Sequence, residues 1–382
     1  MTPHERFETV LAHRVPDRFP MDLIWPRAET LQALKEYFGV EDEGAGLSSS
    51  ADGNRLDAEE AVFRALDIDF RWLAVPAKYP EFERRVTGVL GGVAPGAGRK
   101  YIFHDAQTFE DHWGVVHRVG DDGKYLEWKG GPLTGRENLE GWNTPAVVYP
   151  SVEQIRESID PYKDYVTVTE IEYPFKIAWH ICGYEHFMTL MALNPDLVEA
   201  LYDRLFEFQT EKAVLAARAG FDIVALVGDI AGQNGMMYSA GMFARFDAPR
   251  FKKLTSAVKR ANPHTRLLYH SDGDMEEVIP QLIECGIDIL NPIQSACMDP
   301  ARIKRLYGDR LTFHGTISVQ DTVPNGSAQA VRDEVSLRLT TVGRDGGFIV
   351  SPENSIPYDA PLENVLAIYD TVRQFDCSSL RT

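Results

Sequence analysis

The sequence predicts a (β/α)8 barrel, and three observations predict it. Short apolar runs alternate with helix-period stretches along most of the 382 residues, the pattern of parallel strands joined by helical crossovers. Eight such runs occur, and eight strand–helix units in about 250 residues or more is the size of this barrel. The G-x-G-x-x-G turn that would favour an open doubly wound sheet does not occur in the sequence.

In chain order the expected strands are Phe19–Ile24, Ile68–Val75, Phe175–His180, Ile223–Val227, Leu267–His270, Ile287–Leu290, Leu311–His314 and Phe348–Val350. Apolar runs of this length suit strands buried on both faces of a parallel sheet. The expected helices are Glu29–Phe38, Leu197–Ala219, Ala240–Ala261, Met275–Glu284, Pro300–Tyr307, Ala328–Val342 and Leu362–Phe375. Residues 78–142 break the alternation. They hold two strand-like runs, Trp113–Val119 and Tyr125–Trp128, around Asp121-Asp122-Gly123, a hairpin signal. The expected organisation is therefore one barrel domain over 1–382 with a β-hairpin insertion in its N-terminal half. The polar run Ser48–Asn54 is expected to be a surface loop.

The formal net charge is −18, with 39 Lys and Arg against 57 Asp and Glu. No cationic cluster stands out, so nucleic acid and anionic membrane surfaces are not expected partners. Four widely spaced cysteines do not form a disulfide framework. No apolar run approaches the roughly 20 residues that span a bilayer, and the first residues lack a signal-peptide core. The expected setting is cytoplasmic. A homo-oligomer is left open.

Ligands of a parallel barrel bind at the carboxyl ends of its strands, so the residues that follow each run are the site candidates. His270-Ser271-Asp272-Gly273-Asp274 follows one run. His270 and Asp272 alternate and share a side of an extended backbone, where an imidazole and a carboxylate suit acid–base work or metal ligation. Asp274 suits a helix cap. Gly228-Asp229 with Gln233-Asn234-Gly235 follows another, adding a second carboxylate and two amides. Asn291 and Gln294, His314 with Thr316, and Glu353 with Asn354 follow three more. His180, Cys182, Glu185 and His186 lie close together near a fourth. His270, Asp229 and Asp272 are the expected catalytic groups. His180, Gln233, Asn234, Asn291, Gln294 and Tyr238 are the expected substrate-binding groups, with Trp179 and Tyr269 as further aromatic candidates. No serine-hydrolase elbow, P-loop or zincin helix occurs in the sequence.

In combination these motifs resemble the uroporphyrinogen decarboxylase superfamily. The resemblance runs from Arg6–Pro20 through Asp111-His112-Trp113-Gly114, Gly228-Asp229, His270–Asp274 and Gly286–Gln294 to Pro361-Leu362-Glu363-Asn364. It implies a (β/α)8 barrel with its site at the strand ends. True decarboxylases of this family carry an arginine-rich N-terminal segment that binds the substrate's carboxylates. The matching stretch here, Met21–Thr30, keeps only Arg27. The chain looks more like the corrinoid-dependent methyltransferase branch, in which zinc is held by His-x-Cys and a later Cys. Here His270 matches the His, Asp272 stands at the first Cys, and Glu353 or Asn354 stands at the second. The resemblance thus implies zinc, with His270, Asp272 and Glu353 as its ligands. It also implies a small methoxylated or methylated donor and a corrinoid on a separate partner protein, since the chain has no Asp-x-His-x-x-Gly run of its own. The alternatives are decarboxylation of a small organic acid or a uroporphyrinogen-like substrate, and a non-catalytic small-molecule-binding barrel.

Overall fold

The structure is a computed structural model that describes residues 1–40, 57–91, 99–123 and 125–380. The Ser48–Asn54 run lies outside the described residues. Seven parallel strands pair in chain order: β1 Phe70–Trp72, β2 Val166–Glu172, β3 Ile223–Val227, β4 Arg266–His270, β5 Ile289–Asn291, β6 Thr312–Ile317 and β7 Phe348–Pro352. Their residues are almost all buried, as expected of strands covered on both faces.

An eighth stave closes the ring. Met21 forms a parallel bridge with Val350 of β7. Asp22 N donates to Val350 O at 2.9 Å and Val350 N to Pro20 O at 2.9 Å, while on the other side Asp69 N donates to Met21 O at 2.9 Å. The segment is only a bridge because Pro20 has no N–H to extend the ladder. The fold is a (β/α)8 barrel.

One expected strand is corrected. Phe175–His180 lies inside a helix, Pro174–Cys182, and the strand at this place in the sheet is Val166–Glu172. The Val-Thr-Val-Thr-Glu-Ile-Glu sequence of that strand alternates at period two and is rich in β-branched residues. Pro174 sits in the first turn of the helix, where its missing N–H costs nothing. A short apolar run such as Phe175–Cys182 fits either period. The Ala240–Ala261 helix is also interrupted, by a π-helical turn at Phe243–Asp247.

The expected hairpin is present, Val116–Val119 paired with Leu126–Gly130, with Gly123 at φ 73° in its turn. It belongs to a larger element than expected. Gly88–Val89, Lys100–Phe103 and Thr108–Glu110 extend it into a five-stranded antiparallel sheet, with Leu90, Tyr101 and Phe109 as a small core of its own. This sheet docks on the Pro174–Cys182 helix. Trp128 Nε1 donates to His180 O at 2.7 Å and Leu133 N donates to Ile181 O at 2.9 Å. Gly131 permits the approach: a Cβ there would lie 2.4 Å from Ile181 O. Among the described residues, no helix is long and apolar enough to cross a membrane.

Candidate functional site

Sheet register sets the site. His270, at the end of β4, pairs with Val227 of β3 on one side and Asn291 of β5 on the other. The chain leaves β3 as Gly228-Asp229 and leaves β4 as Ser271-Asp272, so two carboxylates flank the imidazole. His270 Nε2 lies 3.8 Å from Asp229 Oδ1 and 3.9 Å from Asp272 Oδ1. One ligand atom from each of the three lies within 4.8 Å of the others. His270 is buried, at 4% exposure, while the two carboxylates reach solvent. The three expected catalytic groups therefore come together.

The surrounding turns are held tightly. Asp272 N donates to Asp229 Oδ1 at 2.8 Å, and Asn354 Nδ2 donates to Asp272 Oδ2 at 2.7 Å. Ile230 N donates to Ser271 Oγ at 3.1 Å. Gly273 sits at φ 87°, and a Cβ there would meet Gly232 O at 2.6 Å, so only glycine allows the β3 and β4 loops to touch. Gly273 N donates to Gln294 Oε1 at 2.7 Å. Burial pushes the Asp272 carboxyl above the ordinary carboxylate range; His270 opposes the shift, Asp229 adds to it, and Asn354 opposes it.

Beneath these groups runs a buried chain of polar side chains. His270 Nδ1 lies 2.6 Å from Asn291 Oδ1. Asn291 Nδ2 donates to His314 Nδ1 at 2.7 Å and to His314 O at 3.1 Å. His314 Nε2 lies 3.0 Å from Asp22 Oδ2, which also accepts from Trp72 Nε1 at 2.8 Å. Trp25 covers His270 edge-on, with ring centroids 4.8 Å apart, and its indole nitrogen donates to Glu170. Trp25 holds φ 42°, in the left-handed region that costs a bulky residue energy and recurs at functional sites.

The other expected site residues are placed differently from one another. Asn291 is fully buried within the polar chain, and Gln294 braces Gly273. Gln233 and Asn234 are exposed on the β3 loop, with Gln233 Nε2 donating to Gln320 Oε1 at 2.9 Å. Tyr238 is buried at 4% exposure, its hydroxyl donating to Asp247 at 3.0 Å in the core. Tyr269 is likewise sealed. His180 is on a helix against His117, not at a strand end, and burial pulls its imidazole down to about 4.

Glu353, expected as a ligand, lies apart from the His270 group. It is not part of the Asp229–His270–Asp272 group; its Oε1 accepts from Ser295 N and Ser295 Oγ, both at 2.7 Å, and its Oε2 is buried without a hydrogen-bond partner. Asp229 is the third member of that group. Asn354 is bonded to Asp272. Trp25, Asp22 and Glu170 were not expected, since nothing in their local spacing marks them; only the closure of the ring brings residues 22 and 25 to the strand ends.

The donor set fits a zinc-like dication. One imidazole and two carboxylates are ordinary zinc ligands, and one ligand atom of each stands within 4.8 Å of the others.

The profile of uroporphyrinogen decarboxylase (URO-D) matches residues 136–375. A methyltransferase from Methanosarcina mazei superposes with a TM-score of 0.67 at 18% identity, over 98% of this chain and 99% of that one; the likeness is one of fold. A psychrophilic glycoside hydrolase family 10 endo-β-1,4-xylanase gives a TM-score of 0.37 at 11% identity, over 59% of this chain and 81% of that one. No curated protein sequence matches.

Proposed function

The chain belongs to the uroporphyrinogen decarboxylase family, and from that premise we propose that it is a methyltransferase. It moves a methyl group from a small methoxylated or methylated compound to a corrinoid carried by a separate protein. The observation that carries this reading is the convergence of His270 Nε2 with Asp229 and Asp272 at the barrel mouth.

The chemistry follows from charge. As the methyl carbon passes to its acceptor, the electron pair of the broken bond stays on the donor heteroatom. That atom leaves only if a proton or a cation meets it. His270, Asp229 and Asp272 would hold the metal, and zinc bound there would supply a Lewis acid for the leaving atom. His270 Nε2 is the ring atom that faces the mouth and the two carboxylates. The two carboxylates fix the position of that positive centre. Trp25 walls one side of His270 against water. Gln233 and Asn234, exposed on the β3 loop, are the groups we assign to the polar end of the donor.

The paired carboxylates disfavour a polycarboxylate porphyrinogen, for which the matching segment keeps only Arg27. The test is to incubate the protein with reduced free cobalamin and a panel of methoxylated aromatics and methylated amines, following methylcobalamin by its absorbance. Methylation that disappears in His270→Ala is the expected result. Carbon dioxide release without any corrinoid would replace the reading with decarboxylation. Binding of a donor without turnover under any condition would replace it with a binding barrel.

A further inference from the structure

We infer that Asp22, His314 and Asn291 are positioning residues: together they lock His270 in the tautomer that carries its proton on Nδ1 and presents the Nε2 lone pair to the barrel mouth. The inference rests on the reading above only for what His270 then does.

The direction of each hydrogen bond follows from groups that have no choice. A backbone carbonyl can only accept, and an indole N–H can only donate. His314 O lies 3.1 Å from one end of the Asn291 amide, so that end is the NH2. The same NH2 lies 2.7 Å from His314 Nδ1, so Nδ1 of His314 carries a lone pair and its proton sits on Nε2. That proton points at Asp22 Oδ2, 3.0 Å away. Trp72 Nε1 donates to the same oxygen at 2.8 Å, which keeps Asp22 an acceptor. At the other end the Asn291 oxygen faces His270 Nδ1 at 2.6 Å and accepts its proton.

The reverse assignment fails at one place. Turning the Asn291 amide over would set its oxygen 3.1 Å from the His314 carbonyl oxygen, two acceptors facing each other without a proton. Every member of the chain is buried: Asn291 and His314 have no exposure, Asp22 has 1%, and His270 has 4%. Water is thus not at hand to supply the missing proton. A buried network with all its partners in place holds one arrangement, and the partner of a histidine's second nitrogen selects which nitrogen faces a ligand.

The chain spans four staves of the barrel, from the Pro20–Asp22 closure through β6 and β5 to β4. Asp22 is therefore tied to His270 although 248 positions separate them in the sequence. Replacing Asn291 by Asp turns the donor toward His314 into an acceptor and breaks the order of the chain at its centre.

The experiment reads the tautomers of the protein without metal or substrate. Long-range 1H–15N correlation spectra of 15N-labelled protein at about pH 8, where an ordinary imidazole is neutral, distinguish protonated from lone-pair ring nitrogens. Loss of signals in His270→Gln and His314→Gln assigns them. The expected result is a protonated Nδ1 with a lone-pair Nε2 for His270, and the opposite for His314. Asn291→Asp should abolish that pattern in at least one ring. A neutral His270 protonated on Nε2, or a His314 protonated on Nδ1, overturns the proposal. So does an Asn291→Asp protein whose two rings keep the wild-type pattern. None of these spectra depends on methyl transfer, so the inference and the proposed function fail separately.

Discussion

Asn354 holds Asp272: its Nδ2 donates to Asp272 Oδ2 at 2.7 Å, joining the loop after β7 to the loop after β4. The bond favours the ionised carboxylate against the burial that disfavours it. Asn354→Ala removes it, so the Asp272 carboxyl rises further and a proton competes better with any metal. Zinc affinity should fall by about 10- to 100-fold, and the pH midpoint of zinc binding should move up. Competition titration with a chelating dye at several pH values measures both. An unchanged midpoint would show that Asp272 does not ligate.

Trp25 packs its edge on His270 and lies 5.6 Å from Trp72, centroid to centroid. A ligand or metal that reaches His270 therefore changes the surroundings of this indole. Zinc addition should alter the tryptophan emission of the wild-type protein, and Trp25→Phe should lose most of that change. The other five tryptophans serve as the control, since a change that survives in Trp25→Phe arises elsewhere.

Asp247 is buried at the π-helical turn, where it accepts from the hydroxyls of Tyr173 and Tyr238. Burial pushes its carboxyl up to about 7, and the two tyrosine hydroxyls and Arg250 only partly offset that. A carboxyl raised in the folded state binds its proton more tightly folded than unfolded. Its contribution to stability is therefore complete below about pH 4 and is lost as the pH rises to 7, by roughly 4 kcal/mol in all. Asp247→Asn should remove this slope. Urea unfolding of both proteins between pH 4 and 8 measures it as the difference between the two curves.

Much of the fold was legible because its strands carry a clean signal. Ile223–Val227 is found with the expected bounds, and Arg266–His270 within one residue. The period-two run Val166–Glu172 lies beside the more apolar Phe175–Cys182, whose hydrophobicity masks its weaker signal. The early strands of the insertion are two to four residues long, too short for a pattern to show. At the site, His270 and Asp272 were legible from their alternation, and Asp229 from its place after a strand. The roles of Asn291 and Tyr238 were not: both looked like substrate contacts, and one is a link in a buried chain while the other is a core hydroxyl bound to Asp247. Whether a polar side chain at a strand end faces the mouth or the interior depends on partners as distant as Asp22, which local sequence does not contain.

The central claim, a positive centre held jointly by His270, Asp229 and Asp272, is tested most directly by equilibrium zinc binding. Wild-type protein dialysed against buffered zinc should hold about one ion per chain, the ratio of an ordinary catalytic site. His270→Ala, Asp229→Ala and Asp272→Ala should each lose it while remaining folded by circular dichroism. Zinc retained undiminished in His270→Ala and in both aspartate variants would contradict the account.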